Sequence, residues 1–149
     1  MQKSYLALGC FWKPEEKFRL TDGVIKTEVG YAGGNNNTTN YEEVCTGKTG
    51  HAETIKIIFD EKIITYEKIL EIFFKIHDPT QKDMQYPDVG TQYRSEIFYE
   101  NEYQKKIAEK YKKIINVKFG IKIETKISKI KNYCKAEEYH QQYIMKRGQ

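Results

Sequence analysis

Cysteine is scarce in this chain of 149 residues: there are three, Cys10, Cys45 and Cys134, and no two form a CxxC pair. An odd set argues against a secreted disulfide framework, and a structural zinc site asks for four ligands at tight spacing. Also missing is any apolar run near the ~18 residues of a membrane span. Lys3, the apolar stretch Tyr5 to Gly9 and then Cys10 mimic a lipoprotein cleavage site. A signal peptide needs an apolar stretch of roughly 7–15 residues, so this one is too short. No internal repeat, linker or low-complexity tail appears, and the length suits one domain over residues 1–149. The charge excess is small, 25 basic against 21 acidic residues, with lysines scattered near glutamates. That pattern reads as a solvated surface rather than a nucleic-acid stripe. The expectation is a reduced, cytoplasmic chain with one or two reactive thiols and no membrane or nucleic-acid partner.

What is present alternates between strand and helix signals. Ser4 to Leu8 reads as a first strand, and Pro14 fits the first turn of a helix that follows. Val24 to Tyr31 is a second strand, and Ala32 to Asn40, rich in Gly and Asn, a loop. Ala52 to Phe59 alternates as a third strand, and Tyr66 to His77 carries apolar residues at helical spacing. A long polar loop leads to a strand at Arg94 to Tyr99. Tyr103, Ile107, Tyr111 and Ile114 mark a helix, Ile121 to Ile127 a strand, and Ala136 to Met145 a short terminal helix. This order predicts an α+β fold, a split βαβ (ferredoxin-like) two-layer sandwich with an appended C-terminal segment.

Cys10 falls between a strand end and a helix start, where unpaired N–H groups favour an anion and lower a thiol's pKa. A free cysteine is as often buried and inert, so position alone leaves nucleophile and core residue open. Phe11 and Trp12 offer apolar surface able to hold a methyl group, or they simply pack the core. His51 and Glu53 stand in "GHAE" at the start of the third strand. A glutamate there is normally solvated; buried beside the thiol, its pKa rises and it becomes a proton donor. In "YPDVGTQYRS", Asp88 and Tyr93 are polar handles on a loop of the length that often carries function.

The segments "GCFWKPEEKF", "VGYAGG", "YEEVCTGKTGHAE", "HDPTQ", "DVGTQYRS" and "KAEEYHQQY" resemble, in order and over most of the chain, the A-type peptide methionine-sulfoxide reductases. Lys13 stands where the family usually has glycine. The resemblance implies a thiol-dependent enzyme, without metal or flavin, that reduces the S epimer of methionine sulfoxide, free or in proteins. It implies Cys10 as nucleophile, Phe11 and Trp12 as the pocket for the substrate methyl, and Glu53 as the acid that protonates the sulfoxide oxygen. Tyr41, Asp88 and Tyr93 match polar groups around the substrate. The chemistry asks for these types, because a sulfoxide sulfur is a poor electrophile until its oxygen is protonated. Methionine leaves and Cys10 becomes a sulfenic acid.

One departure from the family pattern concerns recycling. Many members carry further cysteines beyond the "YHQQY" segment, and none follows it before Gln149. Cys45, in "EVCTG", reads as a packed residue. Cys134, just before "AEEYHQQY", is the better candidate for resolving the sulfenic acid, although it is not a usual family site. Otherwise thioredoxin or another thiol reductant acts on Cys10 directly. Two other readings stay in play: an RNA-binding module of the same βαβ order, which lacks the aromatic-basic signature, and a thiol peroxidase, which needs no methyl pocket.

Overall fold

The computed structural model describes residues 1–148. Its first half contains β1 (Gln2–Leu8), α1 (Trp12–Arg19), β2 (Val24–Ala32), α2 (Tyr41–Cys45), β3 (Ala52–Phe59) and α3 (Tyr66–Lys75). There follow a small hairpin of β4 (Met84–Gln85) and β5 (Asp88–Val89), then β6 (Ser95–Tyr99) and α4 (Glu102–Phe119). The chain closes with β7 (Lys126–Lys129), β8 (Cys134–Lys135) and α5 (Tyr143–Lys146). The main sheet runs β7-β6-β1-β3-β2-β8, antiparallel throughout apart from the parallel β6–β7 pair. The α+β class agrees with the expectation from the strand order, and the sheet is mostly antiparallel.

Local chemistry sets the main elements. In β3, Ile55, Ile57 and Phe59 are buried on one face, as the period-2 alternation requires. Helix α3 starts where Thr65 accepts a hydrogen bond from the Lys68 N–H, and it buries Ile69, Leu70, Phe73 and Phe74 against the sheet side of the core. Helix α4 is capped by Asn101 at its start and by left-handed Gly120 at its end. The principal core lies on this helical face. The opposite face is thinner: Tyr5, Ala7, Ala32, Ala52 and Phe98 are covered by Ile130 and Tyr133. Gly30 is required there, since a Cβ would sit 2.5 Å from the Cys134 carbonyl oxygen.

Three expectations change. The strand expected over Ile121 to Ile127 forms only at Lys126–Lys129. Ile123 and Thr125 are buried as the alternation suggests, but the Ile123 N–H donates to Asn116 and the Glu124 N–H to the Pro79 carbonyl, so this stretch follows loops. The terminal helix expected over Ala136 to Met145 is broken into a 3-10 turn at Glu138–His140 and α5. Gln141 is extended and Gln142 left-handed at φ 46°, because the Gln141 amide is committed to β2. It accepts from the Val29 N–H at 2.9 Å and donates to the Val29 carbonyl at 2.8 Å, acting as a strand neighbour. Cys45, expected to be packed, is exposed at the end of α2.

Candidate active site

The β1–α1 junction builds the thiol position. Gly9 turns the chain at φ 98°, and a Cβ there would meet the Gln85 side chain at 2.8 Å. Cys10 follows, then Phe11 as the residue preceding α1. Phe11 is fully buried, with its ring against Tyr31 and His140. Its N–H donates to the Glu53 carboxyl group at 3.2 Å, which ties the start of α1 to β3. Cys10, Trp12, Lys13, His77, Asp88 and Tyr143 line one cleft of about 570 Å³.

Glu53 is the decisive electrostatic feature. It is 2% exposed, and burial, reinforced by the charge of Asp88, raises its pKa to about 8 despite the Phe11 N–H. At neutral pH it therefore holds its proton. Burial also dominates at Cys10. Its thiol is pushed up to about 12, with Glu53 and Asp88 adding to the rise while the Trp12 N–H and Lys13 oppose it. The lowering expected from a helix start is present in the Trp12 N–H, but desolvation outweighs it.

Tyr41 and Tyr93 complete the surroundings of Glu53. Burial raises both phenols above their ordinary value, Tyr41 to about 12. Arg94 fixes the loop that carries Tyr93: it pairs with Glu96 at 2.6 Å and donates to the carbonyls of Thr91 and Gly50. Asp88 reaches the cleft from β5.

Several participants escaped sequence reading. Trp12 stacks on Tyr143 with ring centroids 3.8 Å apart, and its indole N–H donates to His140 Nδ1 at 3.0 Å. That bond requires the neutral imidazole, in keeping with a pKa lowered by burial. Glu137 accepts from the Tyr31 hydroxyl and the Tyr41 N–H, and buried Glu15 from Thr27 and Gln142. His77, its pKa lowered to about 4 by burial, donates to the Phe73 carbonyl and accepts from Ser95. The "YHQQY" stretch was the available signal for His140 and Tyr143.

Cys134 is held apart from this cluster. Tyr31 pairs with Glu53 on one side and with Cys134 on the other. Cys10 follows β1 and sits beside Glu53 of β3, and in the order β3-β2-β8 Cys134 lies two strand spacings from Glu53, roughly 10 Å at ~4.8 Å per step. A disulfide wants Cα atoms within about 7 Å. Among the described residues no group of three or more His, Cys, Asp or Glu side chains is placed to hold a metal ion, and no helix is long and apolar enough to cross a membrane.

A half-buried thiol one residue from the N–H that binds a buried, protonated carboxyl group, on an α+β frame, fits the class of thiol oxidoreductases. The family model for peptide methionine sulfoxide reductase matches residues 2–149. The chain is 59% identical over 147 residues to the peptide methionine sulfoxide reductase MsrA of Pelagibacter ubique, covering 99% of this chain and 100% of that one. Its structure matches reduced Mxr1 from Saccharomyces cerevisiae with a TM-score of 0.94 at 40% identity, over 99% of this chain and 86% of that one. The same yeast protein in complex with Trx2 matches with a TM-score of 0.68 at 30% identity, over 95% and 84% of the two chains. The chain belongs to the A-type peptide methionine sulfoxide reductases, and its activity is the thiol-dependent reduction of methionine sulfoxide.

Proposed function

We propose that Cys10 attacks the sulfur of an S-configured methionine sulfoxide, free or in a protein, while Glu53 protonates its oxygen. The observation that carries this reading is a Glu53 carboxyl group that keeps its proton at neutral pH and lies close enough to Cys10 to influence its thiol. As the sulfoxide oxygen takes the Glu53 proton, the sulfur becomes electrophilic and the carboxylate left behind takes up the thiol proton. The S–O bond of the substrate breaks, the oxygen ends on Cys10 as a sulfenic acid, and methionine leaves. Trp12, backed by Tyr143 and fixed by His140, supplies the apolar wall for the methyl group, with Phe11 behind it. Tyr41, Asp88 and Tyr93 orient the polar end.

For recycling, Cys134 attacks the sulfenic acid and releases water, and thioredoxin reduces the resulting disulfide; the yeast Mxr1–Trx2 complex supports that partner. The step requires β8 to leave β2, and a strand of two residues favours this. The core order β6-β1-β3-β2, with β2–β3 as neighbours, supports assignment to the split βαβ class with an appended C-terminal segment, in one domain over residues 1–149. Three unpaired cysteines support a reducing, cytoplasmic setting.

The test is Cys10→Ser assayed on N-acetyl-methionine S-sulfoxide with excess dithiothreitol. Activity is expected to vanish while the far-UV spectrum and melting transition persist. Substantial turnover by the folded variant rejects Cys10 as the nucleophile.

A further inference from the structure

The cleft at Cys10 continues sideways. Lys13, Ile76 and Ile144 line it and also line a second groove of about 710 Å³ between α1 and α3. The floor of that groove is apolar, formed by Leu20, Ile72, Ile76 and Ile144, and Leu20 is 66% exposed. Lys13, Lys17, Lys68 and Lys75 surround it. The single lining carboxylate, Glu16, is paired with Arg19 at 2.7 Å. Glu71 bridges Lys68 and Lys75 and offsets one charge of that pair. The groove therefore carries an excess of positive charge over an apolar floor, and it opens directly into the reaction cleft.

We propose that this groove binds the polypeptide flanking an oxidised methionine, and that it selects segments combining carboxylates with an apolar side chain. The inference rests on the reductase reading above and names its substrate class. Carboxylates of the segment meet the lysine rim, a leucine-like side chain covers the exposed floor, and the methionine sulfoxide enters at the Lys13 end. Charge complementarity selects this occupant, because lysine-bearing segments are repelled by the same rim.

The experiment compares three peptides of equal length, each with a central methionine S-sulfoxide and one leucine, flanked by glutamates, serines or lysines. Dithiothreitol is the reductant and N-acetyl-methionine S-sulfoxide the small control. Wild type is expected to rank them glutamate, serine, lysine in kcat/KM, each step roughly threefold to tenfold from the ordinary strength of exposed ion pairs, and the ranking fades as salt is raised. In Lys17→Gln/Lys68→Gln/Lys75→Gln the ranking collapses while turnover of the small control is retained. Equal kcat/KM values in wild type, or a ranking that survives in the triple variant, overturns the proposal. So does a triple variant that keeps the ranking and loses only thioredoxin-driven recycling, since the groove then belongs to the reductant. Wild type inactive even on the small control rejects the reductase reading rather than the groove.

Discussion

Glu53→Gln separates the chemistry of the site from its stability. The ordinary pKa of this carboxyl group is 4.5, and burial in the folded protein raises it to about 8. Between those values the folded protein holds a proton that the unfolded chain has released. Stability from this group is therefore complete at or below about pH 4.5, declines as pH rises, and stops declining above about pH 8. At about 1.4 kcal/mol per pH unit, the loss is about 3 kcal/mol by pH 7 and approaches about 5 kcal/mol beyond pH 8. Glutamine keeps the shape and still accepts from the Phe11 N–H, but it has no charge to desolvate. Its buried NH₂ adds a penalty of about 1–3 kcal/mol that does not vary with pH. The variant should gain on wild type as pH rises, and for a chain of this size each 1 kcal/mol is worth roughly 2–4 °C in Tm. Paired thermal melts across about pH 5 to pH 8 read this directly. Single-turnover rates on the same samples should fall by roughly 10²–10⁴-fold, because the amide cannot donate the proton. A Tm difference that stays constant, or that moves in favour of wild type as pH rises, refutes a neutral buried Glu53. An unchanged single-turnover rate refutes its role as acid.

Two further outcomes test the rest of the site. Trp12→Ala removes the indole stacked on Tyr143 and its bond to His140, and kcat/KM should drop roughly 10–100-fold, the worth of one apolar side-chain contact with the methyl; a folded variant with normal kcat/KM returns Trp12 to a packing role. Cys134→Ser should leave one turnover intact and abolish recycling by thioredoxin; wild-type protein given one equivalent of substrate without reductant should show a Cys10–Cys134 bond by mass spectrometry, and a persistent Cys10 sulfenic acid or a Cys10–Cys45 bond rejects it.

Periodicity carried the elements whose burial is set by one face. The alternation of Ile55, Ile57 and Phe59 located β3 residue for residue, and the apolar spacing after Thr65 located α3. It failed where side chains replace backbone pairing. The Gln141 amide fills the place of a strand neighbour beside Val29, so a helical pattern became an extended crossing. The candidate site was legible as a set of residue types but not as an electrostatic state. Nothing in "GHAE" says that Glu53 will be buried, because the groups that enclose it come from Phe11, Tyr31, Tyr41 and Tyr93, brought together only by folding. Cys10 shows the same limit from the other side. The helix start was visible, but the burial that outweighs it was not.

That reversal bears on which thiol chemistry the site favours. A peroxidase needs a standing thiolate, because a peroxide brings no basic oxygen that must first be protonated by a buried acid. With burial pushing its pKa up to about 12, Cys10 is a thiol rather than a thiolate at neutral pH. The same burial that suppresses the thiolate keeps Glu53 protonated, so the resting pair is neutral and holds both protons. A sulfoxide changes this balance when it binds. In the proposed mechanism its oxygen accepts one proton from Glu53, the carboxylate so formed takes the other from Cys10, and the nucleophile is generated at the moment its target becomes electrophilic. A cleft that suppresses the free thiolate and stores an acid beside it is matched to an oxygen-bearing substrate that is basic, and poorly matched to a peroxide.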